Sequence, residues 1–159
     1  MICFFSTSLL LFGYYLEYQL LLEPCPLCMT QRLCFMGLIA IAFCGFFTKT
    51  PRTQSFILTT LLLVTLFGAA IAARQLWLQM LPQGSAPACG PGFYYLVEIF
   101  PAQEVLKTML IGDGNCAEIV WTFLGISIPG WSLIWFGFFF VLLLSRLLKK
   151  RTKIASRSA

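Results

Sequence analysis

The sequence contains no histidine, only 6 acidic residues, and charged side chains at just 11% of its 159 positions. Each shortage excludes something. Without histidine there is no Ser-His-Asp triad, no histidine-ligated haem and no zinc site that needs an imidazole. Water-soluble domains carry roughly a quarter charged residues, and this chain has less than half of that share. Too little polar surface remains to cover a globule. A soluble enzyme, a disordered chain and a nucleic-acid binder are therefore excluded, despite the formal net charge of +5. No internal repeat and no low-complexity tract is present. What the chain does have is apolar: 59% hydrophobic residues, 16 phenylalanines and a mean hydropathy of +0.86. This is the composition of an integral membrane protein.

A helix rises about 1.5 Å per residue, so roughly 20 apolar residues cross a hydrocarbon core of about 30 Å. Segments 2–22, 28–47, 55–73 and 131–148 meet that length. They predict an all-α, four-transmembrane-helix bundle forming one membrane domain over residues 1–159. The first segment holds a single charge, Glu17, near its outer end, where it either faces water or takes part in proton transfer. No basic stretch precedes this segment and no small-residue cleavage site follows it, so it reads as a retained span rather than a signal peptide. Lys49, Arg52, Arg146, Lys149, Lys150, Arg151, Lys153 and Arg157 fall on one side of this arrangement, whereas all 6 acids fall in the other half. The excess of lysine and arginine on cytoplasmic loops then places both termini in the cytoplasm, with 48–54 and 149–159 cytoplasmic and 23–27 and 75–130 periplasmic.

The 23–27 connection is short enough to make a tight hairpin of the first two spans. Within the long loop, Leu96, Ile99, Phe100, Val105, Leu106, Met109 and Leu110 recur at helical spacing around Pro101. They predict a broken amphipathic helix lying on the bilayer surface. It is flanked by Pro82–Gly92 and Gly112–Asn115, turn-rich stretches expected to be mobile. Trp121, Trp131 and Trp135 read as aromatic-belt residues.

Of the 7 cysteines, Cys3, Cys34 and Cys44 fall within spans, where a thiol behaves as a small packing residue. Cys25, Cys28, Cys89 and Cys116 fall on the outer side. An even set in an oxidising compartment suggests disulfides, either two inert staples or an exchange-active system. Cys25-Pro-Leu-Cys28 is a C-x-x-C at the start of a helix, where spacing and helix field both favour a thiolate. A zinc site of four thiolates fits less well, because Cys89 and Cys116 stand 27 residues apart in turn-rich loop. Arg32 lies four residues after Cys28 and seven after Cys25, on one helical face with both. A cation one turn inside the bilayer marks a functional site unless it snorkels to the headgroups. Here it suits a thiolate above it or a reduced, negatively charged quinone beside it. Arg74, at the outer end of the third span, either helps build that pocket or anchors the helix at the interface.

Together these blocks resemble the DsbB family of bacterial inner-membrane thiol oxidases. The resemblance rests on Glu23-Pro-Cys-Pro-Leu-Cys28 with Gln31-Arg32, then Ala73-Arg-Gln-Leu-Trp-Leu-Gln79 and Pro87-Ala-Cys-Gly-Pro-Gly92. Gly114-Asn-Cys-Ala-Glu118, Trp121-Thr-Phe-Leu-Gly125 and Pro129-Gly-Trp131 complete it, so it covers nearly the whole chain. It implies two redox-active disulfides, Cys25–Cys28 and Cys89–Cys116, and a DsbA-like periplasmic thioredoxin-fold partner that attacks at Cys89. It further implies exchange from Cys116 to Cys25. Electrons then leave from Cys28 to a membrane quinone, ubiquinone or menaquinone, bound near Arg32 with Gln31, Arg74 and Gln75. Many relatives carry a histidine near the end of the third span, where this chain has Gln75 and Met80. Gln75 can donate a hydrogen bond to a quinone oxygen but cannot act as a general acid. Four-helix quinone or vitamin K reductases share the layout, but the Cys-Ala-Glu block favours DsbB.

Overall fold

The computed structural model describes every residue except 22, 49, 83–86, 91 and 159, and every side chain of the rest except those of 20, 151 and 153–158. Lys49 and the side chains of Arg151, Lys153 and Arg157, used above for orientation, lie outside the described residues. In chain order the elements are α1 (Ile2–Leu20), α2 (Pro26–Phe47), α3 (Pro51–Gln79), α4 (Phe93–Ile99) and α5 (Ala102–Ile111). A 3₁₀ turn (Gly114–Ala117), strands β1 (Thr122–Phe123) and β2 (Ile126–Ser127), and α6 (Ile128–Ser158) follow.

The protein is an all-α membrane protein. Helix α2, helix α3 and the Ile128–Lys150 part of α6 are each long and apolar enough to cross a bilayer. Proline opens both α2 and α3, where its missing N–H costs no hydrogen bond and its φ is already helical. Helix α1, of 19 residues, carries Tyr14, Tyr15, Glu17, Tyr18 and Gln19 in its second half. It packs beside α2 as the hairpin predicts, α3 against α2, and α6 against α3.

In a bilayer the lipid tails are as apolar as leucine, so helices associate through close packing and hydrogen bonds rather than hydrophobic transfer. Phe35 of α2 and Phe136 of α6 stack with ring centroids 4.3 Å apart. Gly68 of α3 lets them do so, since a Cβ there would sit 2.5 Å from the Phe136 ring. Cys34 is buried in this core. Cys44 is exposed on α2, so the packing role expected of the intramembrane cysteines holds for Cys34 but not for Cys44.

The broken loop helix is present. Phe100 is extended, Pro101 restarts the chain, and α4 and α5 lie on either side. Helix α5 buries none of its own side chains but docks on α2, where Thr30 Oγ1 donates to the Met109 carbonyl at 2.7 Å. The β1–β2 hairpin, two residues per strand, is too short to read as periodicity. Its central residues Leu124 and Gly125 both have positive φ, 53° and 77°, the twist a two-residue hairpin needs. At the far end of the bundle Lys150 donates to the Pro51 carbonyl at 2.8 Å, and Arg146 lines a cavity with Met1 and Gln54. Arg146 and Lys150 thus lie at the end of the bundle away from Cys25 and Cys28, while Arg32 and Arg74 lie toward the cysteines.

Candidate redox site

Cys25 is the N-cap of α2. Its extended backbone turns the thiol back over the helix start, where Sγ accepts the Cys28 N–H at 3.4 Å. The same turn brings the Cys25 thiol to 3.0 Å from Cys28 Sγ. The C-x-x-C spacing therefore closes on itself through helix geometry alone. All 7 cysteines are free thiols in this structure.

From the neighbouring helix, Gln75 Nε2 donates to both sulfurs, at 3.2 Å to Cys25 and 3.1 Å to Cys28. Its Oε1 accepts from Gln31 Nε2 at 2.8 Å, and both amides are buried. Gln31 and Gln75, placed around a quinone by the sequence, form a single bridge between α2 and α3 that ends on the thiols. Arg74 is not part of it. It stacks on Trp77 at 4.6 Å and donates to the Ile111 carbonyl at 3.3 Å, holding the end of α5.

Cys116 is completely buried, packed with Leu27, Ile71 and Leu78 and against Cys25. The turn-rich stretch around it is closely packed, because its glycines serve close approach, while residues 83–86 and 91 of the other turn-rich stretch lie outside the described residues. Gly112, at φ +83°, leaves no room for a Cβ beside Leu27, and a Cβ on Gly114 would meet the Pro87 carbonyl at 2.5 Å. The Gly114 N–H donates to the Ala88 carbonyl at 3.1 Å, and Asn115 Nδ2 donates to the Gly90 carbonyl at 2.8 Å. These two bonds take the carbonyls on either side of Cys89 and lay its segment along the turn that carries Cys116. Cys89 itself is exposed. Asp113, at the start of that turn, keeps Oδ1 buried without a hydrogen-bond partner among the described residues.

Hydrogen bonding to the adjacent Cys116 thiol, then to Cys28, together with burial, pushes the Cys25 thiol well above its ordinary value. At Cys25 these sulfur contacts and desolvation favour the thiol. Of the four thiols Cys89 is exposed, Cys25 and Cys28 are half-buried and Cys116 is buried.

Beneath the pair lies a cavity of about 130 Å³ whose walls include Leu9, Leu10, Phe12, Phe35, Cys28 and Arg32. Trp121 and Trp131, read as belt residues, also line it, while Trp135 packs on Phe5 at 4.8 Å. The finding the sequence missed is Glu17. It does not face water: it is buried, ion-paired with Arg32 Nη1, and its other oxygen accepts from the Tyr94 hydroxyl. That bond raises the Tyr94 hydroxyl to about 12. A signal was present, since Glu17 stands six residues before Glu23 and Arg32 five after Leu27, similar depths in a tight antiparallel hairpin. Nothing in the sequence pointed to Tyr94, which arrives through docking of α4.

The family model described as disulfide bond formation protein DsbB matches residues 1–145. Disulfide bond formation protein B of Hahella chejuensis is 49% identical over 138 residues, covering 85% of this chain and 83% of that relative. The protein of the same name from Marinobacter nauticus is 46% identical over 146 residues, covering 91% and 86%. That from Acinetobacter baylyi is 39% identical over 149 residues, covering 92% and 86%. A thiol cluster with one exposed member, on a bundle built to lie in a membrane, is what a protein that makes disulfides requires, and the chain belongs to the DsbB family of disulfide bond formation proteins.

Proposed function

We propose that the protein is a thiol:quinone oxidoreductase of the bacterial inner membrane. It reoxidises a periplasmic DsbA-like thioredoxin-fold protein and so sustains disulfide formation in secreted proteins. The observation that carries this reading is the continuity of the site. Exposed Cys89 lies on the turn of Cys116, Cys116 packs on Cys25, Cys25 touches Cys28, and Cys28 shares a cavity with Arg32.

In the oxidised protein a thiolate of the partner attacks Cys89 Sγ of a Cys89–Cys116 disulfide, forming a mixed disulfide and releasing Cys116 as thiolate. The partner's second thiolate attacks its own half of that bond and leaves oxidised, freeing Cys89. Cys116 then attacks Cys25 of the Cys25–Cys28 disulfide and releases Cys28. Attack by Cys89 on Cys116 restores the outer disulfide and leaves Cys25 and Cys28 with the electron pair. Gln75, donating to both sulfurs, stabilises sulfur that carries negative charge.

The cavity fits a quinone head: Leu9, Leu10, Phe12 and Phe35 offer apolar walls, and Arg32 and Gln31 offer N–H donors for carbonyl oxygens. A quinone bound there supplies an acceptor for two electrons and two protons. Arg32 holds positive charge at the place where negative charge develops. The placement of Arg146 and Lys150 at the other end of the bundle supports cytoplasmic termini and periplasmic cysteines.

The test is the ultraviolet absorbance of added ubiquinone-1, mixed with the purified protein and a reduced DsbA-like thioredoxin-fold protein. Loss of the oxidised-quinone band that requires both proteins is the expected result. An unchanged band, with either ubiquinone-1 or a short-chain menaquinone, contradicts the reading.

A further inference from the structure

Arginine on a helix within a bilayer relaxes by extending its stem toward the headgroups. Arg32 does not. Its guanidinium is turned onto α1, where Nη1 pairs with Glu17, Nη2 donates to the Gly13 carbonyl at 3.1 Å, and the charge lies over the Tyr14 ring at 4.8 Å. The side chain is 14% exposed, and both it and Glu17 line the cavity that Cys28 faces. Glu17 is fixed in turn, because the Tyr94 hydroxyl donates to the carboxylate oxygen that Arg32 does not use. Tyr94 lies on α4, five residues after Cys89 in the same loop.

We propose that Glu17 and Tyr94 are positioning residues: the chain Tyr94–Glu17–Arg32 holds the guanidinium at cavity depth and ties the seating of the loop helix to the shape of the acceptor site. This inference rests on the quinone reading above. Its physical basis is that a guanidinium has five N–H donors and no acceptor. Those left by Glu17 and Gly13 are available to an oxygen in the cavity only while the side chain is kept from the headgroups. Glu17 is the one acid that lines the cavity beside Arg32 among the charges of α1, and Glu23 and Glu118 are the other acids on its wall. Neither of those is paired with Arg32, so they do not substitute for Glu17.

The test measures binding of ubiquinone-1 to the purified full chain by quenching of tryptophan fluorescence, since Trp121 and Trp131 line the cavity. Binding is read without turnover, and each variant is checked for its melting temperature in detergent. Glu17→Ala should raise the dissociation constant on the order of tenfold and Tyr94→Phe about threefold, the loss expected for charge-assisted and single hydrogen bonds. In an Arg32→Gln background neither should weaken binding further, because both act through Arg32. If Glu17→Ala does not fold, Tyr94→Phe, which removes one hydroxyl from a half-exposed side chain, carries the test alone. Unchanged affinity in both variants overturns the inference, as does an equal loss with and without Arg32. A wild-type protein that binds ubiquinone-1 through Arg32 but is indifferent to Glu17 and Tyr94 defeats the inference and leaves the quinone reading standing. A wild-type protein that binds neither ubiquinone-1 nor a short-chain menaquinone defeats both.

Discussion

The two cysteine pairs of the proposed route are built by different means. Cys25 and Cys28 stand three residues apart at the start of one helix, and the N-cap turn alone brings their sulfurs to 3.0 Å. Cys89 and Cys116 stand 27 residues apart, and their segments are joined by two backbone-accepted hydrogen bonds and by glycines that lack a Cβ. One pair is local and survives anything that leaves the helix intact. The other is tertiary, and small steric changes in the loop reach it first. The difference suits the chemistry proposed: a fixed pair at the membrane, and an outer pair whose exposed member meets a protein partner.

The largest effect that separates the pairs is expected from Cys28→Ser. It should lower thiol-dependent reduction of ubiquinone-1 by at least about a thousandfold, as removal of a covalent catalytic group does. It should leave Cys89 able to form a mixed disulfide with the partner, which non-reducing electrophoresis reads. Loss of both functions would mean that the pairs are not separable.

Gly114→Val comes next. Its side chain would collide with the backbone at Pro87 and Cys89, a crowding worth about 1–3 kcal/mol. Partner exchange at Cys89 should slow roughly tenfold, while labelling of Cys25 and Cys28 in the reduced protein changes little. Equal disturbance of both pairs would break the distinction between local and tertiary construction.

Gln75→Leu should act on the inner pair instead. It removes the donor to both sulfurs and leaves Gln31 without its acceptor, for a loss of about 1–3 kcal/mol. Reduction of ubiquinone-1 should fall several-fold, with the rate of mixed disulfide formation at Cys89 unchanged.

A pH series sharpens the same contrast. In the reduced protein, exposed Cys89 should alkylate at neutral pH. Cys25, held above the ordinary thiol value by Cys116, Cys28 and burial, should label only as pH climbs past about 8.5. Because a raised thiol favours the folded state while it is protonated, this contribution is complete below about pH 8.5 and is lost as pH rises from there. Melting temperatures of the reduced protein across that range check the sign. Labelling of Cys25 at neutral pH as fast as Cys89 would contradict it.

What the sequence made legible divides along the same line. The three helices long and apolar enough to span, the break at Pro101 and the shared helical face of Cys28 and Arg32 all follow from local composition and spacing and were readable. Buried Cys116 was not, because Gly112 and Gly114 look like turn freedom in a sequence and act as close contacts in the fold. Glu17 was readable only as a lone acid, since its partners come from α2 and α4. Arg74 shows the converse: its position at the end of α3 left pocket and interfacial anchor both open, and its guanidinium goes to Trp77 and Ile111. Depth along a helix is legible in a sequence, whereas the direction a long side chain takes at that depth is decided by what docks beside it.

The central claim is that electrons pass from the loop to the membrane through contact between Cys116 and Cys25. Its most direct test is peptide mapping by mass spectrometry of the Cys28→Ser protein, its outer disulfide formed, after mixing with the oxidised thioredoxin-fold partner. With the inner disulfide unavailable, Cys25 is a free thiol packed on Cys116. Its attack on Cys116 of the outer disulfide forms Cys25–Cys116 and releases Cys89 as thiolate, which attacks the partner's disulfide. A Cys25–Cys116 disulfide with Cys89 joined to the partner is the predicted product. A Cys25–Cys89 linkage, or an outer pair that never joins Cys25, would contradict the account.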